Sequence, residues 1–81
     1  MFYVYILNSL NNGRYYVGSC KDIENRLNQH NIQEVKSTKA YVPWKLVYQE
    51  EFDMLSKARS REKQIKSWKK RAALEKLIKH L

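Results

Sequence analysis

Apolar and polar positions change period along the chain, and each change predicts an element. Phe2-Tyr3-Val4-Tyr5-Ile6-Leu7 and Arg14-Tyr15-Tyr16-Val17-Gly18 are short, aromatic and β-branched, the composition of strands. The polar stretch Asn8-Ser9-Leu10-Asn11-Asn12-Gly13 joins them as a hairpin. Alternate side chains of a strand share a face, which groups Tyr3, Tyr5 and Leu7, and likewise Arg14, Tyr16 and Gly18. Closing the hairpin around that turn sets Tyr5 opposite Tyr16 and Tyr3 opposite Gly18, two phenols over a glycine floor. From Asp22 to Asn31 the period becomes helical, with Asp22 near the N-cap and Ile23 and Leu27 four apart. Residues 32–42 carry no period and predict a loop that ends at Pro43. Trp44-Lys45-Leu46-Val47-Tyr48-Gln49 alternates as a third strand. Asp53 is expected to cap a second helix running to about Trp68, with Leu55, Ala58, Ile65 and Trp68 inward. A third helix from about Lys69 buries Ala73, Leu74, Leu77, Ile78 and Leu81. Together these give an α+β fold in the order β-β-α-β-α-α, a small antiparallel sheet with helices packed on it.

Composition bounds this picture. At 81 residues, the chain is expected to be a single domain, 1–81, with one modest core. It is 43% hydrophobic and 12% aromatic, which is globular and not disordered. Cys20 is the one cysteine, so neither a disulfide framework nor a cysteine metal cluster can form within one chain; this suits a reducing, cytoplasmic setting. The apolar run Phe2–Leu7 is too short to span a membrane, and no basic segment precedes it as in a signal peptide.

Charge changes the picture more. The net charge is +8, and it is uneven: residues 1–50 hold six Lys/Arg against four Asp/Glu, residues 51–81 ten against four. From Lys57 to Arg71 there are eight bases and a single acid, Glu62. Such a run is either a solvated helix face or the footprint of a polyanion. The apolar positions within it are too broken for a membrane-surface helix, so nucleic acid is the expected partner.

Three polar residues interrupt the apolar stripes. Arg26 and His30 are four apart and emerge side by side at the margin of the first helix's apolar face. A guanidinium can grip a phosphate bidentately, and an imidazole beside it can donate or accept a proton. Taken singly, Arg26 also suits an ion pair with Asp22, and His30 a surface position. Glu62 follows Ala58 by four and precedes Ile65 by three, which puts a carboxylate on or beside an inward stripe. That is costly unless it meets a cation, hydrogen-bond donors or a metal. Mg2+ or Mn2+ fits a phosphodiester ligand; an ion pair with Arg59, Lys66 or Arg26 is the other reading.

The ordered set of a first strand with Tyr3-Val4-Tyr5, a second with Tyr16-Val17-Gly18, a helix with Arg26 and His30, and a distal helix with Glu62 resembles the GIY-YIG nuclease superfamily. The resemblance covers nearly the whole chain. Pro43-Trp44 and Arg61-Glu62-Lys63-Gln64-Ile65-Lys66 are similar to small stand-alone bacterial members and to structure-specific endonuclease catalytic subunits. It implies a three-stranded antiparallel sheet flanked by helices, and metal-dependent phosphodiester hydrolysis by one Mg2+ or Mn2+. By position, it implies that Tyr5 or Tyr16, with His30, orients or deprotonates water, that Arg26 stabilises charge on the phosphate, and that Glu62 binds the metal. It also implies that Gly18 lets the strand approach the substrate, and that Arg26 and the metal lower the phenol pKa. Tyr3, Lys66, Lys69 and Lys70 are the further expected substrate contacts. The first motif here lacks its glycine, so Tyr3 is expected to narrow the site or stack on a base. No asparagine follows Asn31, which leaves a later motif position unfilled. No appended recognition domain is expected, so a protein partner that supplies targeting fits the pattern, as does a module that binds without cutting.

Overall fold

The computed structural model describes residues 1–79. Three strands, β1 (Phe2–Ser9), β2 (Tyr15–Cys20) and β3 (Trp44–Phe52), form one antiparallel sheet in the order β2-β1-β3. Helices α1 (Ile23–Asn31), α2 (Leu55–Ser67) and α3 (Arg71–Lys79) flank it, with a short 3-10 turn at Lys39–Tyr41. The observed order is β-β-α-β-α-α, and the fold is α+β, as the sequence pattern predicts.

The pleat of the sheet divides the core in two. Val4 and Ile6, with Val17 and Tyr48, pack under Ala58 and Ile65 of α2, where Trp68, Leu74, Leu77 and Ile78 close the layer. Tyr5 and Leu7, with Cys20 and Trp44, face the other way, toward Ile23 and Leu27 of α1. Each face of the central strand therefore meets a helix, and this is why β1 reads as a continuous apolar run and not as an alternating one. The α3 side chains are only partly buried, and Leu81, expected on that face, lies outside the described residues.

The hairpin register differs from the expected one. Tyr5 pairs with Gly18, Leu7 with Tyr16 and Tyr3 with Cys20, not Tyr5 with Tyr16 and Tyr3 with Gly18. The register follows from a four-residue turn, 10–13, between Ser9 and Arg14, whose last residue, Gly13, takes a left-handed conformation (φ 76). The turn closes where the Ser9 N–H donates to the Arg14 carbonyl (2.8 Å), and the Ser9 hydroxyl accepts from the Asn11 and Asn12 N–H groups. Because the shift is an even number of residues, every side chain keeps its expected face.

Two further boundaries move. Met54 is the N-cap residue of α2, and Asp53 stands one residue outside, paired with Lys57 at 3.0 Å. β3 runs on to Phe52, with a bulge opposite Ile6/Leu7. The bulge lets Trp44 and Leu46 join the α1 side while Tyr48 joins the α2 side.

Candidate active site

Strand parity and helix spacing bring Tyr5, Tyr16, Gly18 and His30 together on the α1 face. A Cβ built on Gly18 would lie 2.5 Å from the Tyr5 hydroxyl and 3.1 Å from the Tyr16 ring. Gly18 is thus the floor on which the Tyr5 phenol rests, so the occupant is Tyr5 and not Tyr3. The Tyr16 ring centre is 6.3 Å from that of Tyr5 and 4.9 Å from that of His30.

His30 is buried, with 1% of its surface exposed, and both ring nitrogens are engaged. Nε2 is 3.1 Å from the Tyr5 hydroxyl, and Nδ1 is 2.7 Å from the Thr38 hydroxyl. The Thr38 hydroxyl donates to the Val35 carbonyl (3.3 Å), so its oxygen is left to accept from His30 Nδ1–H. Nε2 is then unprotonated and accepts the Tyr5 proton, which orders the chain Tyr5 to His30 to Thr38 to Val35. Burial, reinforced by the Arg26 charge, holds the His30 pKa below its ordinary value. Burial, reinforced by Tyr16, raises the Tyr5 phenol, and Arg26 offsets this only in part. Arg26 lowers the phenol pKa as expected, but desolvation of the phenolate outweighs this one cation.

Arg26 is half-buried at the margin of α1. Its expected alternative partner, Asp22, is instead the α1 N-cap, where its side chain accepts from the Asn25 N–H (3.1 Å). Among the described residues Arg26 makes no ion pair, and its charge acts on Tyr5, Cys20 and His30.

Glu62 does not lie on that face. It projects from α2, which covers the opposite side of the sheet, and reaches the open edge of β2. There the Ser19 hydroxyl donates to Oε1 (2.6 Å), and Lys66 Nζ is 2.6 Å from Oε2. The single pocket holding all five residues, the arrangement expected from sequence, is thus not closed by direct contacts: Glu62 bonds to Ser19 and Lys66 at the β2 edge, and Tyr5 to His30 on the α1 face. The two halves stay in electrostatic reach: Lys66 Nζ stands 6.0 Å from the Tyr16 ring centre, and the Glu62 charge pushes the Tyr5 pKa up. Burial alone would raise the Glu62 carboxyl, but hydrogen bonds from Lys66 and Ser19 outweigh it and keep the pKa below the ordinary value.

A hard divalent ion fits this donor set in one way. Glu62 supplies an ionised carboxylate, Ser19 Oγ is a neutral oxygen beside it, and substrate phosphate and water would complete the shell. Among the described residues no three His, Cys, Asp or Glu side chains converge to cage a metal.

Tyr3 shares the Tyr5 face, but its hydroxyl turns to Glu51 (3.4 Å), away from the Tyr5–Tyr16–His30 cluster. Lys69 and Lys70 are exposed between α2 and α3, beside Lys66. Three residues that the sequence did not single out complete the site. Thr38 sits in a polar loop with no period and nothing to mark it, yet it fixes the His30 tautomer. Ser19 was discoverable in principle, as the β2 residue whose parity points at α2. Asn31 clasps β3: its Nδ2 donates to the Trp44 carbonyl (3.1 Å), and its Oδ1 accepts the Trp44 N–H (2.6 Å).

The family model for the GIY-YIG catalytic domain matches residues 1–77. A UPF0213 protein of Staphylococcus saprophyticus is 43% identical over 74 residues, covering 90% of this chain and 89% of its own. A UPF0213 protein of Staphylococcus aureus is 40% identical over 73 residues, covering 89% and 88%. The solution NMR structure of a UPF0213 protein from Bacillus halodurans matches with a TM-score of 0.60 at 30% identity, over 98% of this chain and 84% of that one. No helix among the described residues is long and apolar enough to cross a membrane. With a hairpin that seats Tyr5 on Gly18, a helix carrying Arg26 and His30, and Glu62 at the sheet edge, the chain belongs to the GIY-YIG family.

Proposed function

We propose that this chain hydrolyses phosphodiester bonds in nucleic acid, DNA in preference to RNA, with Mg2+ or Mn2+ held at Glu62, in a reducing, cytoplasmic setting. Repair or recombination intermediates, recognised by shape and not by sequence, are the proposed substrates. The observation that carries this reading is the oriented chain from Tyr5 through His30 to Thr38, with the Arg26 charge acting on both Tyr5 and His30.

The chemistry follows from the proton positions. Tyr5 donates to His30 Nε2, so its oxygen keeps lone pairs free to accept from a water molecule. As that water attacks phosphorus, its proton moves to Tyr5 while the Tyr5 proton moves to His30. The raised Tyr5 pKa is compatible with this, because no free phenolate has to form. His30, held below its ordinary pKa, is neutral near pH 7 and ready to receive the proton. Arg26 faces the charge that grows on the non-bridging oxygens. The new oxygen–phosphorus bond forms as the bond to the leaving ester oxygen breaks. A bound divalent ion would supply Lewis-acid stabilisation of the phosphate and leaving oxygen, with Glu62 as its protein ligand.

One observation favours a second reading, a domain that stays quiet until substrate or a protein partner engages it. Both Glu62 oxygens are already occupied, by Ser19 and by Lys66. A divalent ion held at Glu62 would compete with the Lys66 ammonium for Oε2, and an arriving phosphate could draw that ammonium away.

The test is incubation with labelled single-stranded, duplex, flap and branched substrates, with and without Mn2+. Metal-dependent cutting of at least one is expected. Binding to all with cutting of none would move the protein to the non-cleaving module.

A further inference from the structure

The β1–β2 turn and the α2–α3 junction face each other across a crevice of about 410 Å3, lined by Arg14, Tyr15, Lys66, Lys69, Lys70 and Arg71 above an apolar floor. Five of these six side chains are cationic, and no carboxylate lines the crevice. The two arginines are placed by aromatic rings: the Arg14 guanidinium lies 4.6 Å from the Tyr41 ring centre and that of Arg71 lies 4.7 Å from Tyr15. Arg71 also donates to the Gly13 carbonyl at 2.8 Å, tying the far end of the chain to the hairpin turn. Its single acidic neighbour, Glu75, is 3.6 Å away and half-exposed. Lys69 holds a left-handed backbone (φ 54), a conformation that glycine or asparagine adopts at lower cost. A lysine at that corner keeps a charge where the backbone alone would favour another residue.

A solvated helix face would not draw cations from two distant segments into one concavity. We infer that this crevice binds the sugar-phosphate backbone of one nucleic-acid strand flanking the phosphate at the Tyr5–Glu62 site, an inference that rests on the hydrolytic reading above. Lys66 makes the two sites continuous, since it lines the crevice and also reaches Glu62. Cations from both segments around an aromatic side chain, Tyr15, make the kind of groove that tracks one backbone while bases stack, the mode by which single strands are held. The substrate class that fits is therefore a nucleic acid with a single-stranded arm.

The experiment is a titration of the 15N-labelled protein with hexathymidylate in EDTA, together with anisotropy measurements across a salt series. The amides of residues 13–15 and 66–71 should shift, while those lining the Tyr3–Asp22 side of the sheet should not. R14Q/K70Q should weaken the single strand about tenfold and make the log–log salt slope shallower by about 0.7 for each charge removed. A control, K36Q/K45Q, removes two charges elsewhere and should change both far less. K69Q/K70Q repeats the test without touching a stacked side chain, in case the first variant folds poorly. Equal losses in the control, an unchanged slope, or a duplex of the same length engaging the same amides as tightly would overturn the inference. EDTA suppresses cleavage, so the crevice can fail while hydrolysis stands, and a failure to hydrolyse in Mn2+ leaves this binding result untouched.

Discussion

One absent methyl group sets the geometry of the Tyr5–His30 pair. A Cβ at residue 18 would overlap both the hydroxyl oxygen and the ζ-carbon of Tyr5, a buried ring with no room to retreat. Gly18→Ala should therefore cost about 1–3 kcal/mol of stability through overpacking and should displace the phenol from His30. Denaturant melting reads the first effect, and the loss of cleavage with retained binding reads the second. His30 gives a prediction in pH. Its folded pKa lies below the ordinary value of 6.5, so the unfolded chain takes up the proton first. Stability is then complete above 6.5 and is lost as pH falls through that value toward the folded pKa. The carboxylates Glu50 and Glu62 are also held low, but their ordinary value is 4.5, so their loss comes at more acid pH. A series of melting temperatures between about pH 7 and pH 5 should decline in the wild type and stay flatter in His30→Gln. At this scale Tyr5, Tyr16, Gly18 and His30 were legible because period-2 and i,i+4 geometry are fixed by the backbone. Thr38 was not, since its role depends on where a loop without period happens to lie.

Elements were legible wherever a single period governed them, and their joints were not. The β2 pairing depended on how many residues of the turn stay unpaired, and the polar stretch from Asn8 to Gly13 does not decide this by composition. The face assignments survived because the slip was even. The start of α2 moved from Asp53 to Met54 because Asp53 spends its carboxylate on Lys57 instead of on backbone donors. The Asn31 clasp was invisible for a different reason, since its partners are main-chain atoms of β3, far away in sequence. Asn31→Ala would leave the Trp44 N–H and C=O without partners and should cost about 1–3 kcal/mol. Amide hydrogen exchange at Trp44 should quicken in that variant, and exchange in the β1–β2 hairpin should change little.

At the scale of the molecule, the sheet separates two kinds of chemistry. The α1 face holds the hydrogen-bonded chain Tyr5–His30–Thr38, the α2–α3 side holds the cations and Glu62, and the edge of β2 is where they meet. The sequence showed both sets of residues but placed them on one face, because nothing in residue spacing says on which side of a sheet a later helix will pack. Tyr5→Phe tests the relay half: binding should persist while the cleavage rate falls about 10²–10⁴-fold, the usual contribution of a positioned acid–base group. The metal half turns on Glu62, and one comparison addresses it most directly: the Mn2+-dependent cleavage rate of Glu62→Gln beside that of the wild type, on a substrate to which both bind. Glutamine keeps the size and can still accept from Ser19, but it removes the charge that would hold a cation against the phosphate. The account predicts that the variant binds substrate at least as tightly and that its cleavage is abolished at every Mn2+ concentration. Cleavage at the wild-type rate, with a lower melting temperature from the lost Lys66 ion pair, would mean that Glu62 is a structural carboxylate and that the catalytic centre lies elsewhere.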